Sequence, residues 1–159
     1  FRPAFKNATF WSNERHWEWA TKPNAREKAS FLKENILPIQ ESGQLKFIND
    51  GDNFSAGFDI QCMNGHTDAM MLPCIQYKGR TIVFMADLLP STAHLPIPYV
   101  MGYDTRPLLT LDEKSKFLNE AVANDYVLYF EHDAVNECCT LKNTEKGVRV
   151  NKTFKLSEL

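Results

Sequence analysis

No apolar run in this chain approaches the roughly 20 residues that a membrane-spanning helix needs, so the sequence gives no reason to place the protein in a bilayer. An excess of one charge is also missing. Eighteen Lys and Arg stand against 20 Asp and Glu, a net charge of −2. That balance provides no basic field to recruit nucleic acid or an anionic membrane surface. Cysteine is sparse: Cys62, Cys74, Cys138 and Cys139, two of them adjacent and none in a repeated C-x-x-C. This pattern argues against a disulfide framework or a thiolate zinc knuckle and fits reduced thiols in a cytoplasmic protein. No signal peptide is visible, which leaves export open if residues precede Phe1. Internal repeats, low-complexity tracts and linkers are absent too. What is there is ordinary: 159 residues, 43% hydrophobic and 24% charged. That suits one domain over 1–159 with a sizeable core.

Taken in order, Phe1 to Phe10 reads as a loop entering a short strand at Ala8–Trp11. Ser12 is placed to cap a helix over Asn13 to Trp19. Trp11, Trp17 and Trp19 fall within nine residues; they read either as core packing or as the wall of a substrate pocket. His16 reads as a surface histidine or one that supports the site from behind. Asn24 followed by Glu27 is a capping-box pattern, and it predicts a helix to about Asn35. Pro38 then permits a short turn ended by Gly43. Gln44 to Ile48 reads as a strand and Asn49–Asp52 as a turn.

Three β segments follow, Gly57–Met63, Ala69–Tyr77 and Arg80–Ala86, with Lys78-Gly79 as a hairpin tip. The stretch Leu88–Leu109 holds four prolines and reads as a long ordered loop, which often carries function. Thr110 to Glu113 is a second capping box, opening a helix to about Asn124. A strand over Tyr126–Glu131 comes next. A final hairpin is predicted, with Thr140–Lys142 and Val148–Phe154 flanking Asn143–Gly147.

Three of these strands end on residues with chemistry. Gly65-His66-Thr67 follows the first, Asp87 lies 21 residues on, and His132 follows 45 residues later. Side chains at neighbouring strand mouths can converge on one point. Two imidazoles and a carboxylate suit zinc and other borderline divalent metals.

The order G-H-T, then A-D closing a β run, then F-x-H-D resembles the second half of the metallo-β-lactamase-fold hydrolases. The two spacings are similar to those of the lactonase-like and methyl-parathion-hydrolase-like branch. The resemblance runs over nearly the whole chain. It implies an α/β fold, the αβ/βα sandwich, of which this chain supplies mainly the C-terminal half: a mixed sheet with flanking helices. The family's H-x-H-x-D-H motif occurs nowhere here. We therefore expect a C-terminal portion that begins shortly after that motif.

The resemblance also implies a cofactor and roles. His66, Asp87 and His132 match the three downstream metal ligands, Asp87 being the bridge between two zinc ions; iron or manganese are the alternative metals. The expected activity is hydrolysis of a small ester or lactone by metal-bound hydroxide. His94, seven residues past Asp87, reads as a group for substrate or for Asp87, or as a surface residue. Tyr103 reads as a carbonyl-polarising group or as loop packing. Both join Asp87 as candidate catalytic residues. Thr67, Asp68 and Asp133 are the neighbours suited to fixing the imidazole tautomers; Asp133 also reads as a solvated turn residue. Partners are expected to be a small-molecule substrate and, by the family's habit, a second copy in a homodimer. Competing readings are an iron-dependent oxidoreductase of the same fold and an inactive half-fold without a full metal site. A phosphodiesterase is disfavoured by the missing basic face.

Overall fold

The computed structural model describes residues 2–159, apart from the side chain of Asn53. Phe1, the start of the first predicted loop, lies outside the described residues. The chain divides into two compact units, residues 1–52 and 53–159.

In the first unit, β1 (Phe10–Ser12) leads directly into α1 (Glu14–Thr21). The cap of α1 is Asn13, not Ser12: its Oδ1 accepts the His16 backbone N–H at 2.7 Å. Ser12 is occupied instead as the last residue of β1, in register with Phe47. The capping-box contacts at Asn24 do form, since the Glu27 backbone N–H donates to Asn24 Oδ1 at 3.1 Å. They close only turns over residues 25–30, however, and no helix continues from Asn24 to Asn35. The helix is α2 (Lys33–Glu41), and Pro38 lies inside it rather than breaking it. β2 (Leu45–Phe47) pairs in parallel with β1.

The second unit is a single mixed sheet. Its strands are β3 (Asn53–Ser55), β4 (Phe58–Met63), β5 (Met70–Tyr77), β6 (Arg80–Phe84), β7 (Val127–Tyr129), β8 (Cys138–Thr144) and β9 (Gly147–Phe154), hydrogen-bonded in chain order. Every pairing is antiparallel except β6 with β7. A parallel pair needs a crossover. Here it contains α3 (Pro107–Ala123), which starts four residues earlier than its capping box suggests because Pro107 opens the first turn. The β5–β6 hairpin turns on Lys78 and Gly79, both at positive φ (50° and 77°), as a two-residue turn requires.

The core lies between α3 and one face of the sheet. α3 buries Thr110, Lys114, Phe117, Leu118 and Ala121, a helical stripe. Of these, Phe117, Leu118 and Ala121 meet Leu72, Val83, Met85, Leu128, Cys139 and Leu141 from the strands. In β5, Met70, Leu72 and Cys74 alternate inward, the period of a strand with one buried face. β7 is buried on both sides, with Leu128 in this core and Val127 in a smaller cluster with Ile82 and Cys138. Among the described residues no helix is long and apolar enough to cross a membrane.

Candidate metal centre

β4 and β6 are each antiparallel to β5, and β6 is parallel to β7. The C-terminal ends of β4, β6 and β7 therefore share one sheet edge. His66, Asp87 and His132 each follow one of those ends. Three residues far apart in sequence are brought to one rim by strand direction alone.

At that rim His66 Nε2 is 3.2 Å from Asp87 Oδ2, and His132 Nε2 is 3.5 Å from Asp87 Oδ1. The two imidazoles thus address opposite oxygens of one carboxylate. Asp87 follows Ala86, whose φ is +41°. A non-glycine residue in the left-handed region is strained, and such strain concentrates at functional sites. His132 is held by its backbone N–H, which donates to Pro90 O at 3.2 Å. Its side chain is half exposed, whereas that of His66 is mostly buried.

The loop carrying His66 is fixed from several sides. Glu113 on α3 accepts the backbone N–H groups of Asn64 and Gly65 at 2.8 and 2.9 Å. Thr105 N–H donates to His66 O at 3.0 Å, and Arg106 N–H to Gly65 O at 2.8 Å. Arg106 Nη1 donates to Asn64 O at 2.6 Å, and Nη2 pairs with Asp68 Oδ1 at 3.1 Å. Gly65 packs directly on the first turn of α3, with no room for a Cβ against Thr110.

Electrostatics follow from this packing. Burial pushes the His66 imidazole down, but hydrogen bonds to Asp104 and Asp87, and their charges, outweigh it and raise it to about 9. Without a metal His66 is therefore a cation at neutral pH, donating Nδ1–H to Asp104 and Nε2–H to Asp87. The hydrogen bond from His66 holds Asp87 below the usual carboxylate range, against the opposing effect of burial. Asp133 is also held well below that range. Burial opposes this, but the backbone N–H groups of Asn136, Thr92 and Val135 and the Thr92 hydroxyl more than compensate.

The other sequence candidates fall as follows. His94 sits in a short 3-10 helix (Thr92–His94), with Nδ1 2.9 Å from Ser91 Oγ. Tyr103 is 77% exposed. Asp68 is engaged by Arg106, and Asp133 fastens Thr92 to the 135–136 turn. A carboxylate against an imidazole is found at Asp104, whose Oδ1 is 2.9 Å from His66 Nδ1. The sequence reads Glu113 as the acid of a capping box and gives Asp104 no role, because each acts across about 40 or more residues. Lys114 left a signal that was readable: it occupies the apolar stripe of α3, and its ammonium donates to the carbonyls of His94, Pro96 and Tyr99. In the first unit His16 stacks edge-on against Phe31, and Trp17 and Trp19 donate to Gln40 and Glu27.

Asp87 Oδ1 is buried and makes no hydrogen bond among the described residues; the His132 contact is at the outer limit for one. Two ligands about 2.1 Å from one tetrahedral ion lie about 3.4 Å apart. The separations of 3.2 and 3.5 Å match that spacing. Chemistry and spacing fit a carboxylate shared between two ions, each with one imidazole. Among the described residues, no three His, Cys, Asp or Glu side chains are arranged to hold an ion by themselves. That is consistent with histidines that face different oxygens.

No protein-family model and no curated protein matches the chain. Solved structures do. A probable metal-dependent hydrolase from Staphylococcus aureus superposes with a TM-score of 0.85 at 23% identity, over 99% of this chain and 56% of that one. AbOPH, a hydrolase of the β-lactamase superfamily, gives 0.76 at 21% identity over 94% and 56%. AidC, a dizinc quorum-quenching lactonase solved with the product N-hexanoyl-L-homoserine, gives 0.71 at 19% over 93% and 56%. The chain spans a little over half the length of these structures. It has the fold of β-lactamase-superfamily hydrolases, as the resemblance implied.

Proposed function

We propose that the intact protein is a metal-dependent hydrolase that opens a small ester or lactone at a dinuclear, zinc-type centre. One observation carries this reading: His66 and His132 converge on the two different oxygens of Asp87. The solved structures of the same fold support it, a dizinc lactonase among them.

In this reading His66 serves one ion, His132 the other, and Asp87 both. A bound zinc supplies a Lewis acid and lowers the pKa of a coordinated water to about 7. The chain's own residues supply placement. Asp87 balances the cationic charge gathered at the rim. The clamp of Glu113 and Arg106 on the 64–66 loop keeps His66 in position. Tyr103, exposed on the loop that leaves Asp87, is assigned to the substrate carbonyl, and His94 to the substrate's edge. The three ligands leave each ion with two, so further ligands must complete the centre. A net charge of −2 favours a neutral substrate over a polyanion.

Chelation tests the reading. Ester or lactone turnover by the intact protein should vanish with EDTA and return on adding zinc. Turnover indifferent to EDTA would eliminate it.

A further inference from the structure

The strongest unassigned feature is the carboxylate on the far side of His66. We infer that Asp104 is the positioning residue that presents His66 Nε2 to the metal, a role the sequence suggested for the chain neighbours of the histidines. The inference rests on the metal reading above.

Its geometry is set by backbone. The Asp104 N–H bonds to Met101 O at 3.1 Å, turning the chain inward. The next two residues bond to His66 O and Gly65 O, so the segment 104–106 runs beside 65–66 with two backbone bonds. The Thr105 hydroxyl adds a third link, 3.0 Å to His66 O. Asp104 is thus delivered to the ring by the same bridge that holds the His66 main chain. Its side chain is 1% exposed and lies 2.9 Å from Nδ1.

A carboxylate that accepts Nδ1–H leaves the other nitrogen, Nε2, to bind a metal. Nε2 is the atom 3.2 Å from Asp87 Oδ2. Asp104 Oδ2 is buried with no hydrogen bond among the described residues. Burying half of a carboxylate unpaired is costly. A carboxylate offers the Nδ1–H a stronger, charge-assisted acceptor than an uncharged side chain would.

The test uses the full 159-residue chain with Asp104→Ala and Asp104→Asn. Proton–nitrogen NMR on the metal-free chain reads the His66 Nδ1 proton. The wild type should show it downfield and slow to exchange; Asp104→Ala should lose it, and Asp104→Asn should keep it through the remaining acceptor. Zinc titration against a chromophoric chelator should show Asp104→Ala binding about 10- to 100-fold more weakly, with Asp104→Asn between it and the wild type. A folded Asp104→Ala with the wild-type Nδ1 signal and wild-type affinity overturns the inference. Should Asp104→Ala not fold, an Asp104→Asn variant with undiminished affinity overturns it equally. If His66→Ala binds zinc like the wild type, the metal reading fails instead; if the 159-residue wild type binds none, two ligands per ion are too few to hold zinc without the ligands that complete the centre. The Nδ1 signal then decides Asp104 alone: its loss in Asp104→Ala sustains the hold on the ring, and its persistence refutes it.

Discussion

Gly65 shows how a single atom can set the site. A Cβ there would lie 2.5 Å from Thr110 N and 2.6 Å from Thr110 Cα, closer than real contacts allow. Gly65→Ala must push the 64–66 loop off α3 or shift the helix. Overpacking of this kind costs about 1–3 kcal/mol. Urea unfolding should show the loss, and the His66 ring resonances should move with it. Because the clashing atoms include backbone, Gly65→Ala with Thr110→Ala should recover little. Full recovery in the double variant would mean that the Thr110 side chain is the obstacle. The sequence showed this glycine only as part of a motif. The reason for it lies 45 residues away in the first turn of α3 and leaves no local trace.

α3 decides whether the loop after Asp87 is held. Lys114 is fully buried, and its three N–H bonds reach His94 O at 3.0 Å, Pro96 O at 3.1 Å and Tyr99 O at 2.6 Å. One helix side chain thereby ties down the segment from residue 94 to residue 99. Burial pushes this ammonium down to about 8, partly offset by the charge of Asp104. The unfolded chain keeps the ordinary lysine value near 10.4. Between those two values the unfolded state binds more protons, so this group makes stability rise with pH. This group's share should be about 1–3 kcal/mol from pH 7.5 to 9.5, set against the opposite slope from His66, whose raised value loses stability over the same range. The share should be absent in Lys114→Met, which also leaves three carbonyls without their donor. Paired urea titrations at the two pH values check this; an equal pH slope in both proteins would refute it. Elements with strong local patterns were legible in the sequence. β4, β5 and β6 were placed nearly to the residue, because alternation and the Lys78-Gly79 turn are local signals. α2 was misplaced because the Asn24 cap closes turns that do not propagate, and because the stretch around Pro38 was read as a short turn and not as part of a helix.

At the scale of the molecule, the rim was legible because strand direction carries it. Once β4, β6 and β7 point the same way, the residues after them must meet. What stayed hidden was the support from Asp104 and Glu113, which reaches the site from outside its motifs. The larger hydrophobic core is drawn wholly from the unit 53–159, between Met63 and Val150. A compact unit with its own core is expected to fold alone. All four cysteines lie in it and report on it. Burial pushes the thiols of Cys74 and Cys138 up to about 11 and that of Cys139 to about 12. All three are buried, whereas Cys62 is half-buried. At pH 7.5 a thiol reagent should label Cys62 readily and the other three only after unfolding. The excised fragment 53–159 should keep that one-to-three pattern and unfold cooperatively in urea. Simultaneous labelling of all four thiols in the fragment, without a cooperative transition, would show that residues 1–52 are needed to form the core.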